Sequence, residues 1–357
     1  MPGKNLKYHY AVGVMSGTSL DGLDMALCRF SKNGANWEFE IKGHKTASYP
    51  KKLKDSLILA PRLSGFDLTC LHKEYGKFIG GQIKKFMADK VQKEYVVACH
   101  GHTVFHQPEK KITLQIGCGA EIAAKTGMTV ITNFRDLDVA LGGQGAPLVP
   151  LGDKVLFGNY NYALNLGGFA NISYEFRKKY IAYDICPANI VLNALSAERT
   201  MPYDKDGELA RSGKLIIELF EQLEALDYYR KKPPKSLGRE WVESNVFPLL
   251  NNYDSSPEDK LHTFTHHICS QINKCLSKSN NKTILVTGGG ALNKFLIETL
   301  REHTEQKIII PDQEIINYKE ALIFAFLGVL RSRHEINTLA SVTGATFNHS
   351  GGSLYMV

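Results

Sequence analysis

No stretch of the sequence approaches the roughly 20 consecutive apolar residues that span a bilayer, and the opening MPGKNLKYHY lacks the apolar core of a leader peptide. A soluble, cytoplasmic protein is expected. The seven cysteines form no C-x-x-C pair and no framework of a small secreted domain, which fits a reducing compartment. Charge of one sign is also missing: 43 Lys+Arg against 36 Asp+Glu leave +7, scattered along the chain, so no nucleic-acid surface is implied. G-x-x-x-x-G-K-[ST] does not occur, and no G-x-G-x-x-G opens a strand–helix unit, which argues against P-loop and dinucleotide folds. The string FRDLD lacks the His, downstream Asn and glycine loop of a protein kinase, and no repeat of solenoid length is present.

What the chain does have is glycine, 31 residues against 13 prolines, gathered partly into three turns. The first, Ser16-Gly17-Thr18-Ser19-Leu20-Asp21-Gly22, joins strand-like AVGVM to LDMALCRF and offers backbone N–H groups, three hydroxyls and one carboxylate. The second, Gly167-Gly168 within LNLGGFAN, repeats that strand-turn-strand setting, with FAN read as part of the turn. The third, Gly288-Gly289-Gly290, ends the strand TILVT and opens a helix, a place where a nucleotide can approach backbone closely. Helical periodicity appears around Asp55–Leu59, Leu71–Val91 and Leu261–Ser277 and in KEALIFAFLGVLRSR, whereas 227–259 carries little regular signal. A short helix from Ala120 to Thr126 should stop at Gly127, which fills a left-handed cap without steric cost.

At 357 residues two domains are the default, and their grammar is α/β. Two hairpin-led halves with a third glycine loop resemble the sugar kinase, actin and heat-shock chaperone ATPase superfamily. That resemblance implies a two-lobed actin-like ATPase (sugar kinase) fold with an interdomain cleft. The expected lobes are 1–133, with the first phosphate hairpin, and 134–357, with the second hairpin and an adenosine-facing loop; the crossover is placed near Asn133–Gly145.

More specific blocks follow in order: VGVMSGTSLDGLD from Val12, CHGHTVFHQP from Cys99, LQIG from Leu114, NFRDLDVALGGQGAPLVP from Asn133 and LNLGGFANIS from Leu164. PYDKDG from Pro202, KSLGRE from Lys235, TGGGALN from Thr287 and VTGAT from Val342 continue the series. Together they resemble the anhydro-N-acetylmuramic acid kinase family over nearly the whole chain. The resemblance implies a cytoplasmic enzyme of cell-wall recycling. It would convert 1,6-anhydro-N-acetylmuramic acid, ATP and water to N-acetylmuramic acid 6-phosphate and ADP, with Mg2+.

Carried over residue by residue, Ser16, Gly17, Thr18, Ser19, Leu20, Asp21, Gly22 and Leu23 match the ATP-phosphate loop, and Gly167, Gly168, Gly288, Gly289 and Gly290 match other nucleotide contacts. Asp184 in YDICPAN matches the general base toward water; the same residue type, just before a helix near Pro187, would also serve as an N-cap. His100, His102, Arg135, Asp138 and Glu320 match the sugar site, with Arg135 suited to a lactyl carboxylate. The spacing of His100, His102 and His106 on a strand also fits a metal cluster, but no carboxylate or cysteine set accompanies it. The pair His266-His267 is given no role.

Cys186 and Ala188 stand where relatives carry glycine, and Asp136 stands where many carry a basic residue. An ordinary sugar kinase acting on a free hydroxyl, and a nucleotide-dependent sensor with little turnover, therefore stay open as alternatives. Partners are expected to be a small sugar and ATP, not nucleic acid or membrane, and a homodimer is compatible with the sequence.

Overall fold

A computed structural model of the chain describes residues 8–17, 20–90, 94–277 and 281–357. It divides into two compact units, one running to Leu156 and resuming at Tyr318–Val357, the other Phe157–Asn317. The 133–145 segment, where the sequence suggested a crossover, lies inside the first unit.

In the first unit, the strands β1 (Tyr8–Ser16), β2 (Leu23–Asn33) and β3 (Asn36–Ala47) form an antiparallel meander. On the other side of β1 run β4 (Tyr95–Cys99) and β7 (Thr129–Thr132), parallel to it, and β13 (Ser353–Tyr355) closes that edge antiparallel to β7. A separate hairpin pairs β5 (His102–Gln107) with β6 (Ile112–Ile116). One sheet face buries Val12, Val14 and Val97 against Leu71, Tyr75 and Ile79 of the Gly65–Phe86 helix. The other face meets the Gln313–Ser332 helix so closely that a Cβ on Gly13 would fall 1.8 Å from the Ala321 carbonyl oxygen. Only glycine permits that approach.

The second unit repeats the plan. Its strands β8 (Tyr162–Leu166), β9 (Phe169–Phe176) and β10 (Lys179–Pro187) form the antiparallel meander, and β11 (Thr283–Thr287) and β12 (Lys307–Ile309) add in parallel beside β8. The order β10-β9-β8-β11-β12 matches β3-β2-β1-β4-β7 strand for strand and in polarity. This duplicated α/β sheet is the actin-like ATPase (sugar kinase) arrangement that the glycine turns implied. Leu164, Leu166, Ile172 and Val286 pack with Leu261, Phe264 and Ile268 of the Pro257–Cys275 helix. That helix starts where Ser256 Oγ accepts the Asp259 N–H, with Pro257 in its first turn and Lys274 in its last.

Three local expectations need adjustment. Phe169-Ala170-Asn171 already belongs to β9, so the turn is Gly167-Gly168 alone. The 227–259 segment contains two short helices, Arg239–Asn245 and Phe247–Asn251. The expected cap holds: Gly127 has φ 68° and ends the Gly119–Thr126 helix.

Candidate functional site

The β1–β2 turn is tight, with the Leu20 N–H donating to the Gly17 carbonyl at 3.3 Å and Leu20 at φ 52°. Thr18 and Ser19 lie outside the described residues. Leu20 and Leu23 are buried in the core below and lend backbone only. The Ser16 hydroxyl is also turned inward: its Oγ accepts from Tyr49 Oη at 2.9 Å, and Tyr49 Oη meets Tyr75 Oη at 3.0 Å. Asp21 is exposed at the tip, and Asp24 accepts from Thr46 Oγ1. Burial raises the Asp24 carboxyl, and the Thr46 bond opposes that rise.

In the same unit, β7 is followed by Asn133 at φ 54°, turning the chain so that Arg135 returns beneath the loop at Gly145. Arg135 Nη1 donates to the Gly145 carbonyl at 2.6 Å and Nε donates to His100 Nε2 at 3.0 Å. Since His100 Nε2 accepts, its proton sits on Nδ1, which donates to the Gly101 carbonyl at 2.9 Å. Burial, with Arg135 alongside, lowers the His100 pKa to about 3, so the ring stays a neutral acceptor. Burial likewise lowers Arg135 to about 10, against the opposing pull of Glu320 and Asp138. Glu320 has accessible surface but sits in a protein-dense recess that raises its carboxyl, while Lys319 and Arg135 hold it down.

Two residues expected at the sugar site are held by protein partners. His100, 4% exposed, uses both ring nitrogens inside the protein and orients Arg135. Asp138 has no accessible surface: Oδ1 accepts from Thr343 Oγ1 at 2.7 Å and His349 Nε2 at 2.9 Å, and Oδ2 from the Gly145 N–H at 2.6 Å. Burial alone would raise this carboxyl, but the three donors outweigh it and hold the pKa below the ordinary value. Asp138 therefore fixes the loop that fixes Arg135. His102 Nδ1 and Gln115 Oε1, on adjoining strands, are buried without hydrogen-bond partners among the described residues. Among the described residues no group of three or more His, Cys, Asp or Glu is placed to hold a metal ion.

The second unit brings two glycine turns together. Gly168 O accepts from the Ala188 and Ile190 N–H groups and Gly167 O from Asn189, so the Asn189–Ala197 helix starts on the hairpin tip. A Cβ on Gly288, at φ 81°, would lie 2.8 Å from the Leu166 carbonyl, and one on Gly290 2.7 Å from Leu166 Cβ. These glycines let the third loop dock on the second hairpin. Among the described residues, Gly168 has nothing within 4 Å of its Cβ direction and Gly289 only Asn189 Nδ2 at 3.8 Å.

Asp184 lies at a register shift where β10 passes Asn171 of β9. It is not the N-cap, a position held by Ala188 without a side-chain bond. A strap from Tyr228 to Leu237 holds it: the Leu237 N–H donates to Oδ2 at 2.9 Å, the Asp184 N–H to the Lys235 carbonyl at 3.3 Å, and Tyr228 Oη to the Asp184 carbonyl at 2.6 Å. Burial raises its carboxyl, and the Leu237 bond only partly offsets that. Asp184 Oδ1 has no hydrogen bond within the described residues. An ionised oxygen of raised proton affinity, steadied through its twin, is equipped to take a proton. The strap was missed as a functional element because 227–259 lacks periodicity, although KSLGRE lies within it.

A family model described as anhydro-N-acetylmuramic acid kinase matches residues 9–357. A Francisella tularensis subsp. novicida protein of that name is 34% identical, with 95% of this chain and 96% of the relative covered. A Mannheimia succiniciproducens protein of the same name is 33% identical over 97% and 98%. Among solved structures, the activator of 2-hydroxyisocaproyl-CoA dehydratase from Clostridium difficile matches with a TM-score of 0.43 and 14% identity, covering 91% of this chain and 97% of that one.

Proposed function

The chain belongs to the anhydro-N-acetylmuramic acid kinase family, and on that premise we propose that it opens the 1,6-anhydro bridge of anhydro-N-acetylmuramic acid with water while ATP phosphorylates the released oxygen. Asp184 Oδ1 takes a proton from water as the water oxygen attacks C1. The C1–O6 bond breaks, O6 bonds to the γ-phosphorus, and ADP leaves. The products are N-acetylmuramic acid 6-phosphate and ADP, in cytoplasmic cell-wall recycling.

The observation that carries this reading is the Asp184 carboxylate: half-buried, raised in proton affinity, pinned at Oδ2 and open at Oδ1. Within the first unit, the oriented Arg135 guanidinium suits a carboxylate such as a lactyl group, and Glu320 suits a hydroxyl or amide N–H. The open backbone at Gly168 and Gly289 suits ATP, whose transfer needs positioning and charge neutralisation more than covalent help. Mg2+ retains waters and is bound through few carboxylates plus phosphate; Asp21, exposed at the first turn, and Asp24 would hold it, and it would neutralise phosphate charge.

Two measurements test the reading. Asp184→Asn should keep ATP binding and lose nearly all sugar phosphorylation; retained turnover would show that another group is the base. In ¹⁸O water the label should appear at C1 of the sugar product, and label confined to phosphate would refute the coupled route. Assaying the reducing N-acetyl sugar beside the anhydro sugar separates this activity from ordinary hydroxyl phosphorylation.

A further inference from the structure

A cavity of about 370 Å³ lies in the second unit and is lined in part by Tyr183 and Ile185 of β10. Asp184, between them, is not among the lining residues. None of the glycines of the two nucleotide turns lines it.

Its charge is lopsided. Arg230, Lys231, Lys235 and Lys274 line it against a single carboxylate, Glu224. Glu224 is already saturated: it accepts from His267 Nδ1 and Lys274 Nζ at 2.5 Å, Ser270 Oγ at 2.8 Å and Gln271 Nε2 at 2.9 Å. Arg230 has only a long, exposed contact of 3.4 Å with Asp227, worth little in water. Lys231 and Lys235 have no ion pair among the described residues. The Lys235 ammonium is instead held 4.4 Å from the Tyr228 ring centroid, donating to the Tyr228 carbonyl at 3.3 Å. Three cations without adequate counter-charge therefore converge on a space walled by the rings of Tyr174, Tyr183 and Tyr229. The volume is that of a small-ligand site, and aromatic walls suit the apolar face of a sugar ring.

We propose that this cavity is a second ligand site, separate from the nucleotide turns and from Asp184, that takes a small phosphorylated sugar. The cations receive the phosphate and the tyrosine walls the ring. The assignment does not rest on the kinase reading.

The test is calorimetric titration of the full chain with N-acetylglucosamine 6-phosphate at constant ionic strength, with and without saturating ADP. Emission from Trp241, whose ring lies 6.3 Å from Tyr229, gives a local readout. Saturable binding should survive ADP and weaken roughly tenfold or more in the exposed double variant Arg230→Ala/Lys231→Ala, about 1.4 kcal/mol. Absence of saturable binding, equal affinity in the variant, or full displacement by ADP overturns the site. Equal affinity for inorganic phosphate overturns the sugar-sized ligand.

Discussion

Arg135 keeps its orientation because His100 offers an unprotonated Nε2, and that proton state is a consequence of burial. Replacing the ring by one that cannot accept, as in His100→Phe, should lower kcat/KM for the sugar about tenfold to a hundredfold, the scale of a lost bond to a charged group. KM for ATP should hold; a loss shared equally by both substrates would show a general folding defect. The same ring sets a pH dependence. Its folded pKa of about 3 lies below the ordinary 6.5, so in that interval the unfolded chain binds a proton that the folded chain refuses. Stability should therefore fall as pH drops from about 6.5 toward 3. Denaturant titrations across that range check the sign, and His100→Phe should flatten the slope. Little of this was legible beforehand. The family motifs group His100, Asp138 and Arg135, but whether a histidine faces ligand or neighbour depends on Gly101 and Gly145, which only the folded backbone positions.

Among the elements, the glycine turns were the most legible feature, since each sits between short apolar runs and glycine alone tolerates the approaches they make. What the sequence could not separate was glycine for packing from glycine for ligand. Gly288 has positive φ and meets Leu166, so Gly288→Ala should destabilise the protein by about 1–3 kcal/mol and lower Tm. Gly168 faces open space, so Gly168→Ala should leave Tm nearly unchanged and raise KM for ATP. Thermal melts beside ATP kinetics distinguish the two, and equal Tm losses would refute the division. The strap from Tyr228 to Leu237 was illegible for the opposite reason. It has no period to read, and its hold on Asp184 joins residues some fifty positions apart through the Leu237 N–H.

For the whole molecule, the α/β class and the doubled hairpin plan could be read from local patterns, but the boundary could not. The first unit is discontinuous, taking back 318–357, and a chain that returns leaves no composition shift at residue 133 to mark it. The second unit is contiguous from Phe157 to Asn317 with its own buried core. Residues 157–317 produced alone should melt cooperatively, as circular dichroism would show; a featureless melt would mean that this core needs the remainder of the chain. Asp138→Ala should instead cost the first unit about 2–4 kcal/mol, because Thr343, His349 and the Gly145 N–H lose their acceptor.

That discontinuity also orders events on the ribosome. All of the second unit is synthesised before Thr343 and His349 are made, so it can start to fold ahead of the loop behind Arg135. The loop behind Arg135 waits for its two late partners, and the arginine is set in place last.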